Sequence, residues 1–313
     1  MDPTIAVGTG LAILGSKDLL LKILGPSADY VGGEVKNFVE KCNFNLDEIF
    51  KKAARKLGDR MDEDGAVSPR VLKHVVDEGR FCEDDLTAEY YGGILASSKN
   101  RIDRDDRGVT LLAQVKDLSV YQLRFHFMAY MVMHRLFQGD GLNLGDGNDC
   151  RKMKVFVPMK IYEAAMAFED GEDPSAILSH CLFGLNRHNL ISDFASGNAE
   201  WLLKQNKGIT EPGVVFAPTL TGAELFLWAI GLQGATGREL VSVTIKGSVD
   251  GVTVPDGSKS FTALDGELKA KKEAEKKAQQ EANKAALTNP LPASESKPEG
   301  GENPKPESEG GSQ

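Results

Sequence analysis

Gln122, His126, Tyr130 and His134 recur every four residues and fall on one face of a helix. Two imidazoles and a phenol in one stripe could shuttle protons or hold a ligand. No carboxylate accompanies them locally, so the competing reading is the polar edge of a buried helix. The densest charge cluster is the run Arg101-Ile102-Asp103-Arg104-Asp105-Asp106-Arg107-Gly108. Alternating signs favour a solvated connection that neutralises itself. The functional alternative is a recognition surface for a charged partner, carried by Arg101, Asp103, Arg104, Asp105, Asp106 and Arg107.

Other constellations fail on spacing or environment. Asp62-Glu63-Asp64-Gly65 resembles part of a calcium loop, which needs acids at positions 1, 3, 5 and 12 around a glycine at 6. With Gly65 at the glycine position, Arg60 and Val71 take the first and last places, so the segment reads as a turn. His180, Cys181 and His188 lack a fourth ligand, and two of them are adjacent, which is poor zinc geometry. Cys82 lies beside Glu83, Asp84 and Asp85, whose charges raise a thiol pKa and argue against a nucleophile. No catalytic set, metal or cofactor is expected from these residues, although catalytic groups distant in sequence can meet in a fold.

These side chains need a scaffold, and the pattern predicts a mainly helical one. Apolar periodicity gives helices over 4–24, 27–41, 45–57, 69–79, 83–98 and 105–117, with Asn45 and Ser68 as caps. Ser119-Val120-Tyr121-Gln122 is a capping box. The helix after it, to about Phe137, is apolar on most faces and belongs at the centre of a bundle. Gly8, Ala12 and Ser16, and again Ala88, Gly92 and Ala96, place small residues every fourth position, where a second helix can approach closely. The stretch 3–16 could alternatively support self-association or contact with a membrane. It falls short of the ~20 apolar residues of a spanning helix.

The second half changes character. Val155–Val157 reads as a strand, 159–168 and 174–184 as helices, and Leu190-Ile191 and Gly213–Pro218 as strands. Thr221–Glu224 reads as a second capping box before an apolar helix, and Leu240–Ile245 and Val252–Val254 as further strands. This order is that of a winged-helix-like module, with the Leu190-Ile191 strand paired to the strand before the last helix. The helix at 174–185 carries no Lys or Arg, which disfavours reading of DNA. The expected organisation is a helical bundle (1–138), a linker (139–152), an α+β winged-helix-like module (153–260), an exposed charged helix (261–287) and a disordered tail (288–313).

Composition narrows function. The chain has 313 residues, 41% hydrophobic and 27% charged, with net charge −9, so a core can form without disulfides or metals. No basic block exists, which disfavours nucleic acid as a partner. Cys42, Cys82, Cys150 and Cys181 form no C-x-x-C pair, and Met1-Asp2-Pro3 opens without a basic run. Free thiols in a reducing cytoplasm are the expectation.

Several strings together carry a family resemblance: ILGPSADYVGGEVK (23–36), PRVLKHVVDEGRFCEDDLTAEYYGGILASS (69–98), RDDRG (104–108), LSVYQLRFHFMAY (118–130) and LTGAELFLWA (220–229). Over roughly 20–235 the chain resembles the bacterial Abi-alpha family. The resemblance implies an association with abortive infection, by which an infected bacterium restricts phage. It implies no agreed activity and no catalytic residues. The leading expectation is a non-enzymatic defence protein acting through protein contacts. The alternatives are a membrane-active effector using residues 3–16 and a DNA-binding regulator using the winged-helix-like module.

Overall fold

A computed structural model describes residues 44–82, 84–102, 104–245, 249, 252, 254 and 256–288. The predicted helices at 4–24 and 27–41, the stripe Gly8, Ala12 and Ser16, Asp103, and the tail beyond 288 lie outside the described residues. The fold is mainly helical with a small antiparallel sheet. Residues 44–268 pack as one unit, and residues 269–288 belong to a second.

The first helix, α1 (Phe44–Leu57), buries Leu46, Ile49, Phe50, Ala53 and Leu57 at helical spacing. Asn45 does not cap it: the helix already starts at Phe44, and the Asn45 amide donates to the Arg80 carbonyl instead. A 3-10 turn (Gly58–Asp62) follows, entered at Gly58 with φ +49°. Pro69 opens α2 (Pro69–Gly79), where its fixed φ suits the first turn. Next come α3 (Asp85–Ser97), α4 (Gly108–Lys116) and α5 (Val120–Phe137). Ser119 and Gln122 form both halves of the capping box that starts α5.

In the second half α6 (Gly147–Lys152) leads into β1 (Val155–Pro158), α7 (Met159–Met166), α8 (Pro174–Arg187) and β2 (Ile191–Gly197). The short α9 (Ala199–Leu202), β3 (Gly213–Pro218), α10 (Leu220–Ala229), β4 (Lys259–Ser260) and α11 (Phe261–Thr288) complete the order. The sheet order is β2-β3-β1-β4, with every pair antiparallel. One face (Val155, Val157, Val214, Phe216) joins the main core. The other (Phe156, Val215) packs with Leu202, Ile209 and Leu264, so the first turns of α11 cover it. From 269 to 284 every side chain of α11 is exposed, as its Lys, Glu, Ala and Gln composition dictates.

Four further expectations are corrected. Gly184 does not end a helix: α8 continues to Arg187, and the missing side chain at Gly184 makes room for Gln122. The cap of α10 is Thr219, whose hydroxyl accepts from the Gly222 amide, not Thr221. Leu240–Ile245 and Val252–Val254 form no strand among the described residues. Leu240 is buried in the core, its carbonyl accepting from His134, and the sheet edge beside β1 is taken by Lys259–Ser260. The bundle and the α+β part are not separately packed either. One core runs from Leu46 through Phe125 and Phe216 to Val241, and the stretch 139–152 contributes buried Leu144 and helix α6 to the same unit.

One core group is mismatched. The Tyr162 hydroxyl is buried without a hydrogen-bond partner, while its ring lies among Phe125 and Phe168. An unmet buried hydroxyl costs ~1–3 kcal/mol. Tyr162→Phe is therefore expected to raise the unfolding free energy by about 1 kcal/mol, read from the urea midpoint at unchanged slope. A lower midpoint would show that the hydroxyl is satisfied in solution.

Candidate functional site

The polar stripe of α5 is brought to the centre of the molecule. His126 is fully buried, with Nδ1 2.6 Å from the Tyr90 hydroxyl and Nε2 3.1 Å from the Gly222 carbonyl. A carbonyl only accepts, so Nε2 carries the proton and Nδ1 accepts from Tyr90. The Tyr130 hydroxyl donates to the Leu190 carbonyl (2.6 Å) and accepts from the Thr219 amide (3.0 Å). His134 Nδ1 donates to the Leu240 carbonyl at 2.8 Å. Gln122 accepts from the Ser119 amide and donates to the His180 carbonyl.

Most of these partners are main-chain groups, on or beside α8, β2, β3 and α10. The stripe therefore ties the central helix to the sheet-bearing half, with both His126 nitrogens and the Tyr130 hydroxyl already engaged. Burial pushes the His126 pKa down to about 3, so the ring stays neutral across the physiological range. A histidine with a depressed folded pKa stabilises fully above its unfolded value near 6.5. That stability is lost as pH falls toward the folded value. The expected slope is about 1.4 kcal/mol per pH unit below 6.5. Urea unfolding at pH 7 and pH 5 measures it, and a flat profile would show that His126 accepts a proton in the folded state.

Among the described residues one ion pair forms inside the charge cluster. Arg107 makes a two-pronged pair with Asp105 (2.9 and 2.8 Å) and lies over the Trp228 ring at 5.3 Å. The bond to Arg107 holds the Asp105 carboxyl below its usual range. Asp106 pairs with Arg70 of α2. Arg101 donates to the Asp64 main-chain carbonyl at 3.4 Å and approaches the Asp64 carboxylate only to 3.8 Å, and Arg104 is exposed. Asp105, Asp106 and Arg107 thus lock the connection before α4, and Arg101 and Arg104 face solvent.

Ala88, Gly92 and Ala96 lie on α3, and α1 crosses it at Gly92. A methyl there would stand 2.8 Å from the Ile49 carbonyl oxygen and from Lys52 Cβ. Burial first, then the nearby aspartates, pushes the Cys82 thiol up to about 12, and burial does the same to Cys181. Among the described residues no three His, Cys, Asp or Glu side chains converge as a metal set would.

Three arrangements were not visible in the sequence. Glu89 of α3, nearly buried, receives Lys52 at 2.8 Å and Lys56 at 2.5 Å from α1, and Lys52 also reaches Asp85 at 2.8 Å. Ser119 Oγ lies 2.9 Å from His180 Nε2, a serine–histidine pair 61 residues apart. Among the described residues no carboxylate bonds that histidine, and the same Oγ caps α5 by accepting from Gln122. A cleft of about 300 Å³ opens between the 3-10 turn and the loop at 99–102. The weak signal for the first was alternating charge on two neighbouring helices. The other two arise from chain crossings that no local pattern encodes.

No family model, no curated protein and no solved structure matches this chain.

Proposed function

We propose that the chain is a phage-defence protein of the Abi-alpha type that works by binding another protein rather than by catalysis. The strings at 69–98, 104–108, 118–130 and 220–229 support the family reading. The observation that carries the binding mode is Phe183, a large aromatic 67% exposed on α8 and packed edge-on against Phe194 of β2 at 5.2 Å. An exposed aromatic anchored by a second one is the kind of residue that dominates protein interfaces.

The succession β1, α7, α8, β2, β3 supports a winged-helix-like reading, in which α8 takes the position of the helix that enters a DNA groove. Its exposed side chains are Ser175, Ala176, Ser179, His180, Phe183, Asn186 and Arg187, with a single Lys or Arg at the last residue. Groove binding needs several cations, so this face favours a protein surface over a duplex. The membrane reading rests on residues 3–16, which lie outside the described residues. No described helix is long and apolar enough to cross a membrane.

The test is phage plating on cells carrying the wild type, Phe183→Ser, or nothing. The proposal expects the wild type to cut plating, with infected cells dying, and Phe183→Ser to lose that protection at unchanged protein level. Full protection by the variant would remove this face as the contact, and unchanged plating by the wild type would remove the defence role.

A further inference from the structure

Lys99 is drawn out of water and Arg60 is half-buried, and among the described residues no carboxylate is bonded to either. Lys99 is 5% exposed, and its ammonium donates to the carbonyls of Arg60 (3.0 Å), Met61 (2.9 Å) and Glu63 (2.6 Å). Arg60 donates to the Gln233 side-chain oxygen (2.7 Å) and the Gly231 carbonyl (3.0 Å). Burial lowers both pKa values despite the neighbouring Glu63. That carboxylate is exposed and screened by water, as is Asp64. A desolvated charge is costly unless something compensates it.

Both cations line the same cleft of about 300 Å³, at the small end of ligand sites. Lys99 has spent all three N–H groups on carbonyls, so it contributes field rather than a bond. Arg60 has used two of its five donors. Arg101 stands at the mouth, its side chain 72% exposed and only loosely held by Asp64. Leu57 and Ile102, the latter 61% exposed, add an apolar wall.

We propose that this cleft binds a small phosphate monoester, the oxyanion held by Arg60 and Arg101 and the organic substituent lying against Leu57 and Ile102. Guanidinium forks suit phosphate and carboxylate alike. The lining holds three cations against the two exposed carboxylates of Glu63 and Asp64, and because Lys99 and Arg60 are the less exposed charges the field inside the cleft favours the doubly charged group.

Titration of the full chain with phenyl phosphate, inorganic phosphate and phenol, followed by calorimetry and amide NMR, tests this. Phenyl phosphate is expected to bind more tightly than inorganic phosphate, with shifts centred on residues 57–64 and 99–102, and phenol is expected not to bind. Arg101→Ala makes no core contact and should fold normally. It is expected to weaken phenyl phosphate about tenfold, and Ile102→Ser to erase the preference over inorganic phosphate. Absence of binding at about 10 mM phenyl phosphate, shifts confined to other surfaces, or wild-type affinity in Arg101→Ala would each overturn the assignment.

Discussion

Gly93→Ala is expected to cost about 3 kcal/mol and to lower the melting temperature by about 10 °C. Helix propensity alone would make this substitution stabilising by about 1 kcal/mol, so packing must overturn the sign. The reason is position. Gly92 and Gly93 are consecutive on α3 and point to different neighbours: α1 lies against the first and α10 against the second. A methyl at 93 would overlap the Ala229 carbonyl, which is backbone and cannot rotate away. Nor can α10 slide off. Its Trp228 is 1% exposed, its ring N–H donates to the Ala235 carbonyl, and its own carbonyl accepts from Ser97 of α3. Gly147→Ala is the matched control, since its methyl would meet open space; the expected change is within about 0.5 kcal/mol. Thermal unfolding of the pair decides it, and equal melting temperatures would mean that α10 does not sit on α3 in solution.

The same two glycines show how far sequence carried the fold. Tyr90-Tyr91-Gly92-Gly93 reads as a weak point of a helix. Four-residue spacing through Ala88, Gly92 and Ala96 marks a face where a helix can cross. Nothing local marks Gly93 as a second crossing, because its partner Ala229 is 136 positions away. Local rules were legible where the cause is local. Pro69 at the start of α2, the Ser119–Gln122 box and the Gly213–Pro218 strand each depend on adjacent residues alone. Thr219 against Thr221 shows the limit: both can cap, and the choice is fixed by Tyr130, whose hydroxyl accepts from the Thr219 amide across 89 residues.

Candidate sites follow the same division. The stripe Gln122, His126, Tyr130 and His134 was legible as a stripe, and its buried-edge alternative matches the bonds it makes. Whether a buried imidazole is free to act depends on what faces it, and Tyr90 and Gly222 are 36 and 96 residues away. The charge run was legible as a cluster with a self-neutralising alternative. Arg70, which pairs with Asp106, comes from a different helix. The cleft at Arg60 and Lys99 left no trace, since a lysine bonded to three carbonyls looks like any surface lysine until the chain folds over it.

Glu89→Gln is expected to cost about 3 kcal/mol or more, because it strands positive charge rather than because it deletes one bond. Lys52 is 3% and Lys56 15% exposed, and Glu89 answers both. The amide keeps the shape and removes the charge, leaving Lys52 to the exposed Asp85 alone. Burial pushes the Glu89 carboxyl up, but Lys56 and Lys52 outweigh it and the net shift is down. A depressed carboxylate stabilises above its unfolded value near 4.5, and that stability is lost as pH falls through the folded value. For Lys52, burial lowers the pKa and the bonds to Asp85 and Glu89 raise it further, so the net shift is up. Its contribution is present below 10.5 and lost as pH rises through the folded value. The network therefore works between these limits, and Glu89→Gln should flatten the acid loss below 4.5 while lowering stability at pH 7. Replacing Lys52, Lys56 and Glu89 together with Met, Met and Leu should recover most of the loss, since a buried ion cluster roughly matches an apolar one of the same volume. Urea unfolding of the single and triple variants separates the cases. A triple variant as unstable as Glu89→Gln would mean that the cluster itself, and not stranded charge, holds α1 on α3.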